Sequence, residues 1–420
     1  MGSYFRTPHK RQTDVDISSI SFWSRGLEER DRAFARLRAE APVSWHPPLE
    51  TPGLPKRSRE AGFWAVTRAA DIAFASRRHD LFSSEIGQVN VRPTPFRSVP
   101  NMLLLDPPLH TAYRQVVGGA FTPRAVRALT ATINRRARQI VLRAGLQPSF
   151  DFVSAISAQL PLRTIADLIG IPASEHDRFV FAADSYVRTG VPANLPSGTS
   201  PEAFISEQGT YLRELSAALA TMRRRKPADD LMTRLSQADI AGAPLADDAI
   251  FSTVLLLIVA GDDTTKQAIT LSYLALRAFP EELRWLTEDF EARFDQAFDE
   301  LVRYASPVIS FARTATGTTK LGGRLITGGD KVALFYCSGN RDESVFSESQ
   351  VLRLARPRNL HVAFGGGGVH FCLGNALARL QVKAVLSHTL DRLPGLILGE
   401  PVYGFGETVH RVESLPASLP

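Results

Sequence analysis

Four consecutive glycines, Gly365 to Gly368, run into Val369-His370-Phe371-Cys372-Leu373-Gly374 and then Asn375-Ala376-Leu377-Ala378-Arg379. Glycines let a backbone turn sharply and approach a flat ligand closely. The pattern predicts a helix over about 373–392, so Cys372 stands at its entry. There the free N–H groups and the positive dipole end favour a thiolate. A thiolate in a glycine-rich cradle, with amide N–H groups aimed at sulfur, is suited to ligate a haem iron, and such hydrogen bonds tune its potential. The other cysteine, Cys337, reads as a small buried hydrophobe. Two cysteines make neither a disulfide framework nor a four-Cys metal site. There is no C-x-x-C-H attachment site. The glycines are not a dinucleotide fingerprint either, because the G-x-G-x-x-G frames from Gly365 and Gly366 end on His370 and Phe371.

Three further clusters carry chemistry. Ala260-Gly261-Asp262-Asp263-Thr264-Thr265 falls midway along a helix predicted over 247–278. Gly in a helix interior costs about 1 kcal/mol relative to Ala, and an acid beside two threonines fills an apolar span poorly. The preceding Val254-Leu255-Leu256-Leu257-Ile258-Val259 argues for burial rather than a solvated face. A buried acid–hydroxyl pair beside a loosened turn suits proton delivery. Glu300 and Arg303 stand at i and i+3 on one helix face; alone, such a pair is usually surface decoration. His110 and Arg114, after Asp106-Pro107-Pro108-Leu109, reach one side of a helix start, and in isolation they read as an ordinary surface pair.

Taken together and in this order, the clusters resemble the cytochrome P450 haem-thiolate monooxygenases along nearly the whole chain, from Phe22-Trp23 to Leu415-Pro416. Phe364 stands eight residues before Cys372 where the family usually has seven, so one glycine is additional. His370, Gly368, Gly374 and Arg379 keep their places relative to Cys372. The resemblance implies a mainly α fold with small β-sheets, a single triangular-prism domain over 1–420 with haem b between a long distal helix and the Cys-ligand loop. It implies Cys372 as axial ligand. Phe364 and Gly374 would belong to the ligand loop. His110, Arg114, Arg313 and His370 would hold the haem propionates. Glu300 and Arg303 would form the structural pair. Asp263 would relay protons while Thr264 holds a water by hydrogen bonding. The reaction implied inserts one atom of O₂ into a C–H bond and releases the other as water.

The resemblance also implies electrons from NAD(P)H through a redox partner, and, as the chain shows no flavin or iron–sulfur motif of its own, a separate ferredoxin with its reductase is the expected one. Arg356 and Arg358 are candidates for an Arg-rich docking face, or are merely solvated. The substrate pocket implied is apolar: Val259, Ala260, Val308, Ile309, Val409 and the loop 82–101. The additional glycine, Tyr336-Cys337-Ser338-Gly339-Asn340-Arg341-Asp342 and the Val259–Thr265 stretch resemble the actinobacterial subgroup that hydroxylates sterol side chains and methyl-branched lipids at terminal carbons. Asp262-Asp263 departs from the Asn-Glu frequent there, which keeps terpenoids and other natural products open. A haem-thiolate isomerase or peroxygenase is the alternative enzyme, and those branches tend to lack the acid–Thr pair. A non-catalytic haem-binding protein is the other alternative.

The elements that must position these groups are mostly helical. Helices are predicted at 27–41, 69–76, 108–119, 123–144, 155–169, 174–187, 201–225, 229–237, 281–288 and 293–304 beside those named above. Phe63 to Thr67 reads as a strand, and residues 308–336 alternate short β-prone pieces with glycine turns. The 420 residues show no internal repeat and no Pro/Gly/Ser linker, so one large domain is expected. The 49 basic and 43 acidic residues leave a formal charge of +6. Its densest knot, Arg223-Arg224-Arg225-Lys226, suits a helix end better than a nucleic-acid surface. The N-terminal stretch is polar, no apolar run approaches the length of a membrane span, and a cytoplasmic monomer without a membrane anchor is expected.

Overall fold

Local signals start and stop the helices where the sequence places them. Thr122 Oγ1 accepts the Ala125 amide at 3.3 Å and proline takes the first helical position, which opens the helix Pro123–Ala144. Ser200 and Pro201 open Pro201–Arg225 in the same way. The computed structural model describes residues 12–50, 62–92, 99, 101–187 and 195–420. Part of the expected loop 82–101 therefore lies outside the described residues. By its internal contacts the chain divides into two compact units. The first takes 1–97, 270–372 and 401–414; the second takes 98–269, 373–400 and 415–420. The chain passes from one to the other five times, once within a helix. No linker or composition shift marks these passages, which is why the sequence shows no boundary.

The first unit is built on a five-stranded sheet in the order Val43–His46, Phe63–Val66, Lys331–Phe335, Ser310–Ala315, Phe82–Ser83. The Phe63 and Lys331 strands pair in parallel, and the other neighbours are antiparallel. One cluster on the sheet gathers Phe22, Trp23, Phe34, Phe63, Ala333 and Phe335. The helix Leu27–Glu40 adds Phe34 and Leu37 to it, as its apolar spacing predicts. The second unit is helical, with Leu162, Ile165, Phe179, Leu219, Met232, Val254 and Ile258 in its core. A three-stranded antiparallel sheet of Ile397–Leu398, Pro416–Ser418 and Ser149–Asp151 accompanies it.

Two predicted helices are broken in the structure. The stretch 155–169 becomes a π-turn at Val153–Ser157 and a helix Pro161–Ile169, because Pro161 restarts the helix at its first position. The stretch 247–278 becomes Asp247–Gly261 and Asp263–Ala278, with the break at Asp262. Arg223 and Arg224 of the basic knot are ion-paired with Asp230 and Asp247, so half of that knot is neutralised within the fold. No described helix is long and apolar enough to cross a membrane.

Candidate active site

In the first unit, the glycine loop lies directly on the backbone of the helix Ala69–Arg77. A Cβ on Gly366 would come within 2.7 Å of Ala73 Cα, and one on Gly368 within 2.4 Å of the Ser76 carbonyl oxygen. Gly368 also holds φ +77°. The Cys372 amide donates to the Phe364 carbonyl at 3.0 Å, closing the loop. The Phe364 ring stacks on Phe298 with centroids 6.1 Å apart, which ties the loop to the helix Phe290–Ala305. Gly368→Ala therefore meets both a backbone clash and a strained φ. We expect it to leave less than half of the purified chain loaded with cofactor, measured as the ratio of Soret to protein absorbance.

The two cysteines differ sharply. Cys337 is buried at 3% exposure in the sheet core, where burial first and Asp31 second push its thiol up to about 12. It stays a thiol, as its reading as a small hydrophobe predicts. Cys372 is partly open and sits three residues before the helix Asn375–Arg392. Among the described residues no group of three His, Cys, Asp or Glu side chains could hold a metal.

Arg313 meets the test for an anionic group. It is 4% exposed on the strand Ser310–Ala315, and its hydrogen bond goes to the neighbouring Ala312 carbonyl at 2.8 Å. Among the described residues no carboxylate pairs with it. A buried guanidinium left in this state costs free energy unless an anion joins it. His370 Nε2 lies 3.1 Å from Ser84 Oγ, beside the glycine loop. A thiol on a glycine loop and a buried cation awaiting an anion fit a haem and its propionate.

Glu300 and Arg303 are both fully buried and share two hydrogen bonds of 2.7 and 2.8 Å. The carboxylate also receives Arg356 Nε at 3.0 Å, the Arg353 amide at 2.9 Å and Asn359 Nδ2 at 2.9 Å. Arg303 Nη1 donates to the carbonyls of Asn340 and Ser349 at 2.7 and 2.8 Å. This corrects the docking-face reading of Arg356: its side chain is 7% exposed and committed to Glu300, whereas Arg358 is exposed. Val308 and Val409 face each other across an isolated bridge and are half-buried. Ile309, expected beside them in the pocket, is fully buried in the sheet cluster with Phe335 and Cys337.

In the second unit, Val259 and Ala260 are exposed at the end of an otherwise buried helix, Val259 at 47%. Thr264 Oγ1 donates to the Ala260 carbonyl at 2.6 Å across the break. A Cβ on Gly261 would press within 2.7 Å of Ile165 Cδ1, so glycine lets this helix pack there. Asp263 is 7% exposed and its Oδ1 lies 2.7 Å from Lys266 Nζ. Burial pulls the Lys266 ammonium down, but Asp262, Asp263 and Asp184 together hold it above its ordinary range. Lys266 does not stand out in the sequence, although its i, i+3 spacing from Asp263 matches that of Glu300 and Arg303. His110 is 1% exposed on the helix Leu109–Gly118, one turn before half-buried Arg114. Gly374 caps the start of Asn375–Arg392.

The Lys266 pairing makes a prediction. Lys266→Met removes the ammonium 2.7 Å from the buried Asp263 carboxylate, and a cation within this distance lowers a carboxyl by about 1–3 units. The acidic limb of the turnover–pH profile is expected to move up by about 1 unit or more, read from NAD(P)H-driven product formation across pH.

Comparison with known proteins decides the family. The chain is 36% identical over 412 residues to the methyl-branched lipid omega-hydroxylase of Mycobacterium tuberculosis, covering 96% of this chain and 94% of that protein. It belongs to the cytochrome P450 family. The P450 family model itself matches residues 294–394, which hold both the Glu300–Arg303 pair and Cys372. This P450 is also 37% identical over 379 residues to a steroid C26-monooxygenase of Rhodococcus jostii, covering 88% of this chain and 77% of that one. A Mycobacterium marinum P450 in complex with pseudoionone superposes with a TM-score of 0.91 at 42% identity, covering 98% of this chain and all of the other. The P450 fold and the monooxygenase class follow.

Proposed function

We propose that this P450 hydroxylates a largely hydrophobic small molecule at a terminal carbon, using O₂ and electrons delivered from NAD(P)H by a ferredoxin and its reductase. A methyl-branched lipid, a sterol or a terpenoid is the substrate class. The observation that carries this reading is the exposed apolar Val259–Ala260 surface running straight into the Asp263–Thr264 pair. The names of the relatives, a methyl-branched lipid hydroxylase and a steroid monooxygenase, support the substrate class.

Cys372 would ligate the iron of haem b, and Arg313 and His370, together with His110 and Arg114, would hold its propionates. When bound, the haem with its thiolate supplies the activation of O₂ and the oxidation of the C–H bond. The residues of the chain provide position and protons. The glycine loop, closed by the Cys372 amide on the Phe364 carbonyl, would fix the position of the sulfur. Thr264 Oγ1, which donates to the Ala260 carbonyl, would hold a water in turn and so orient a proton donor. Asp263 takes protons from solvent and passes them to that water, and Lys266 steadies the carboxylate between transfers. The exposed apolar Val259 and Ala260 would seat the substrate's hydrocarbon end.

Thr264→Ala tests the proton route. It is expected to keep NAD(P)H consumption while product falls by about 10-fold or more and peroxide rises in its place. Unchanged coupling would remove Thr264 from the mechanism. A Soret-shift screen of sterols, branched lipids and terpenoids tests the substrate class.

A further inference from the structure

The helix Pro123–Ala144 of the second unit carries a charged face that none of the roles above uses. It holds six arginines and not one acidic residue, as many positive charges as the formal surplus of +6 on the whole chain. Its core side is Val126, Ile133, Ala137, Val141 and Ala144. At the helical period the opposite side is Arg124, Arg127, Arg135, Arg138 and Leu142, and all five are exposed. From Arg124 to Arg138 this stripe runs about 21 Å along the helix.

Its cations are not neutralised within the fold. Exposed arginines of other helices sit beside an acid, as Arg32 does beside Glu28 at 2.7 Å and Arg36 beside Asp14 at 2.9 Å. Among the described residues, Arg124, Arg127, Arg135 and Arg138 form no ion pair, and Arg135 reaches only the Thr132 hydroxyl, at 3.3 Å. Half-buried Arg136, on another side of the same helix, has Asp167 Oδ1 at 3.0 Å. The helix Asn375–Arg392 packs alongside, and its one acid, Asp391, is taken by Arg392 at 2.8 Å. Burial first, then Arg392 and Arg138, lower the His388 imidazole below its ordinary range, as a positive local field requires. The stripe ends on apolar groups: Leu142 is 41% exposed, and Leu146, one turn on, is 84% exposed. The Leu146 amide still donates to the Arg143 carbonyl at 3.3 Å, so the backbone keeps its helical course to that point.

We propose that this face of Pro123–Ala144 docks on an anionic phospholipid surface, with the arginines on headgroup phosphates and Leu142 and Leu146 dipping into the acyl boundary. Four unpaired cations in line with two projecting leucines match such a surface, where phosphates lie level with the cations and hydrocarbon begins just beneath. A partner offering acidic groups alone would use the arginines and leave the leucines in water. The docking is peripheral: the face lies on the membrane and does not span it. It brings the enzyme to the phase in which hydrophobic molecules dissolve.

The test is flotation of the full-length, haem-loaded protein with vesicles of phosphatidylcholine alone and of phosphatidylcholine with an equal share of phosphatidylglycerol. Wild type is expected to float with the anionic vesicles, to stay behind with the neutral ones, and to be released by high salt. The combined variant Arg124→Gln, Arg127→Gln, Arg135→Gln, Arg138→Gln should bind the anionic vesicles at least about 30-fold more weakly. Removing the same number of charges at Arg25, Arg32, Arg36 and Arg284, which have acidic partners, should change binding by no more than about threefold. Leu142→Ser with Leu146→Ser keeps every charge and should still weaken binding about 5-fold. No flotation of wild type, equal flotation with neutral vesicles, full binding by the four-arginine variant, or binding indifferent to the two leucines overturns the proposal. The last result, joined to slower haem reduction by an acidic ferredoxin in the arginine variant without vesicles, would make the face a protein-docking surface instead.

Discussion

Cys372→Ala is expected to abolish turnover. The protein should no longer show a thiolate-type band, and product from any substrate found in the screen should drop to the uncatalysed level. Three features make the effect this large. Sulfur at 372 is held at the end of a loop whose glycines contact helix backbone with no space for a side chain. The Cys372 amide already closes that loop on Phe364, so no neighbouring residue can swing in to replace the ligand. The other cysteine cannot substitute, because burial in the sheet core holds Cys337 as a thiol at about 12. The paired control is Cys337→Ala, a small core truncation that should keep the band and cost only about 1 kcal/mol of stability.

Glu300→Ala is expected to destabilise the fold by about 3–5 kcal/mol, because it leaves a buried guanidinium without its partner. That is a large part of the roughly 5–15 kcal/mol that separates folded from unfolded states in most domains. Here the loss is compounded: Arg356, the Arg353 amide and Asn359 all point at the same carboxylate. Chemical denaturation should show the midpoint falling steeply, with soluble yield falling alongside. The pair also sets an acid limit. Burial works against the Glu300 charge, but Arg303, Arg356 and the Arg353 amide outweigh it and hold the carboxyl below its ordinary range. The unfolded chain thus takes up a proton there before the folded protein does. Stability from this group is complete above the ordinary glutamate value, about 4.3, and is lost as pH falls through the depressed folded value. Denaturation midpoints measured downward from neutral pH should fall in that window, and Glu300→Gln should flatten the dependence.

The features legible in the sequence are those whose signals are local. The cysteine loop is contiguous, and its run of glycines by itself announces close approach to another backbone or a flat ligand. Asp263 and Thr264 stand out because an acid and hydroxyls interrupt an apolar helix, and the structure breaks that helix at the adjacent Asp262. Helix boundaries such as Pro123–Ala144 and Pro201–Arg225 follow from proline at the first position and a hydroxyl cap. The rest depends on residues far apart in the chain. Arg356 reads as a surface arginine until the fold brings it to Glu300. Ile309 is apolar beside a half-buried Val308, and only the fold decides which of the two is core. The division into two units is hidden because each is assembled from separated segments.

The account turns on sulfur at position 372 binding haem iron. The most direct measurement is the carbon monoxide difference spectrum of the reduced protein, purified after expression with adequate haem supply. A Soret band displaced to the long wavelength typical of a thiolate ligand is the predicted result. A colourless protein, or one whose band stays at the position given by a nitrogen ligand, would contradict it.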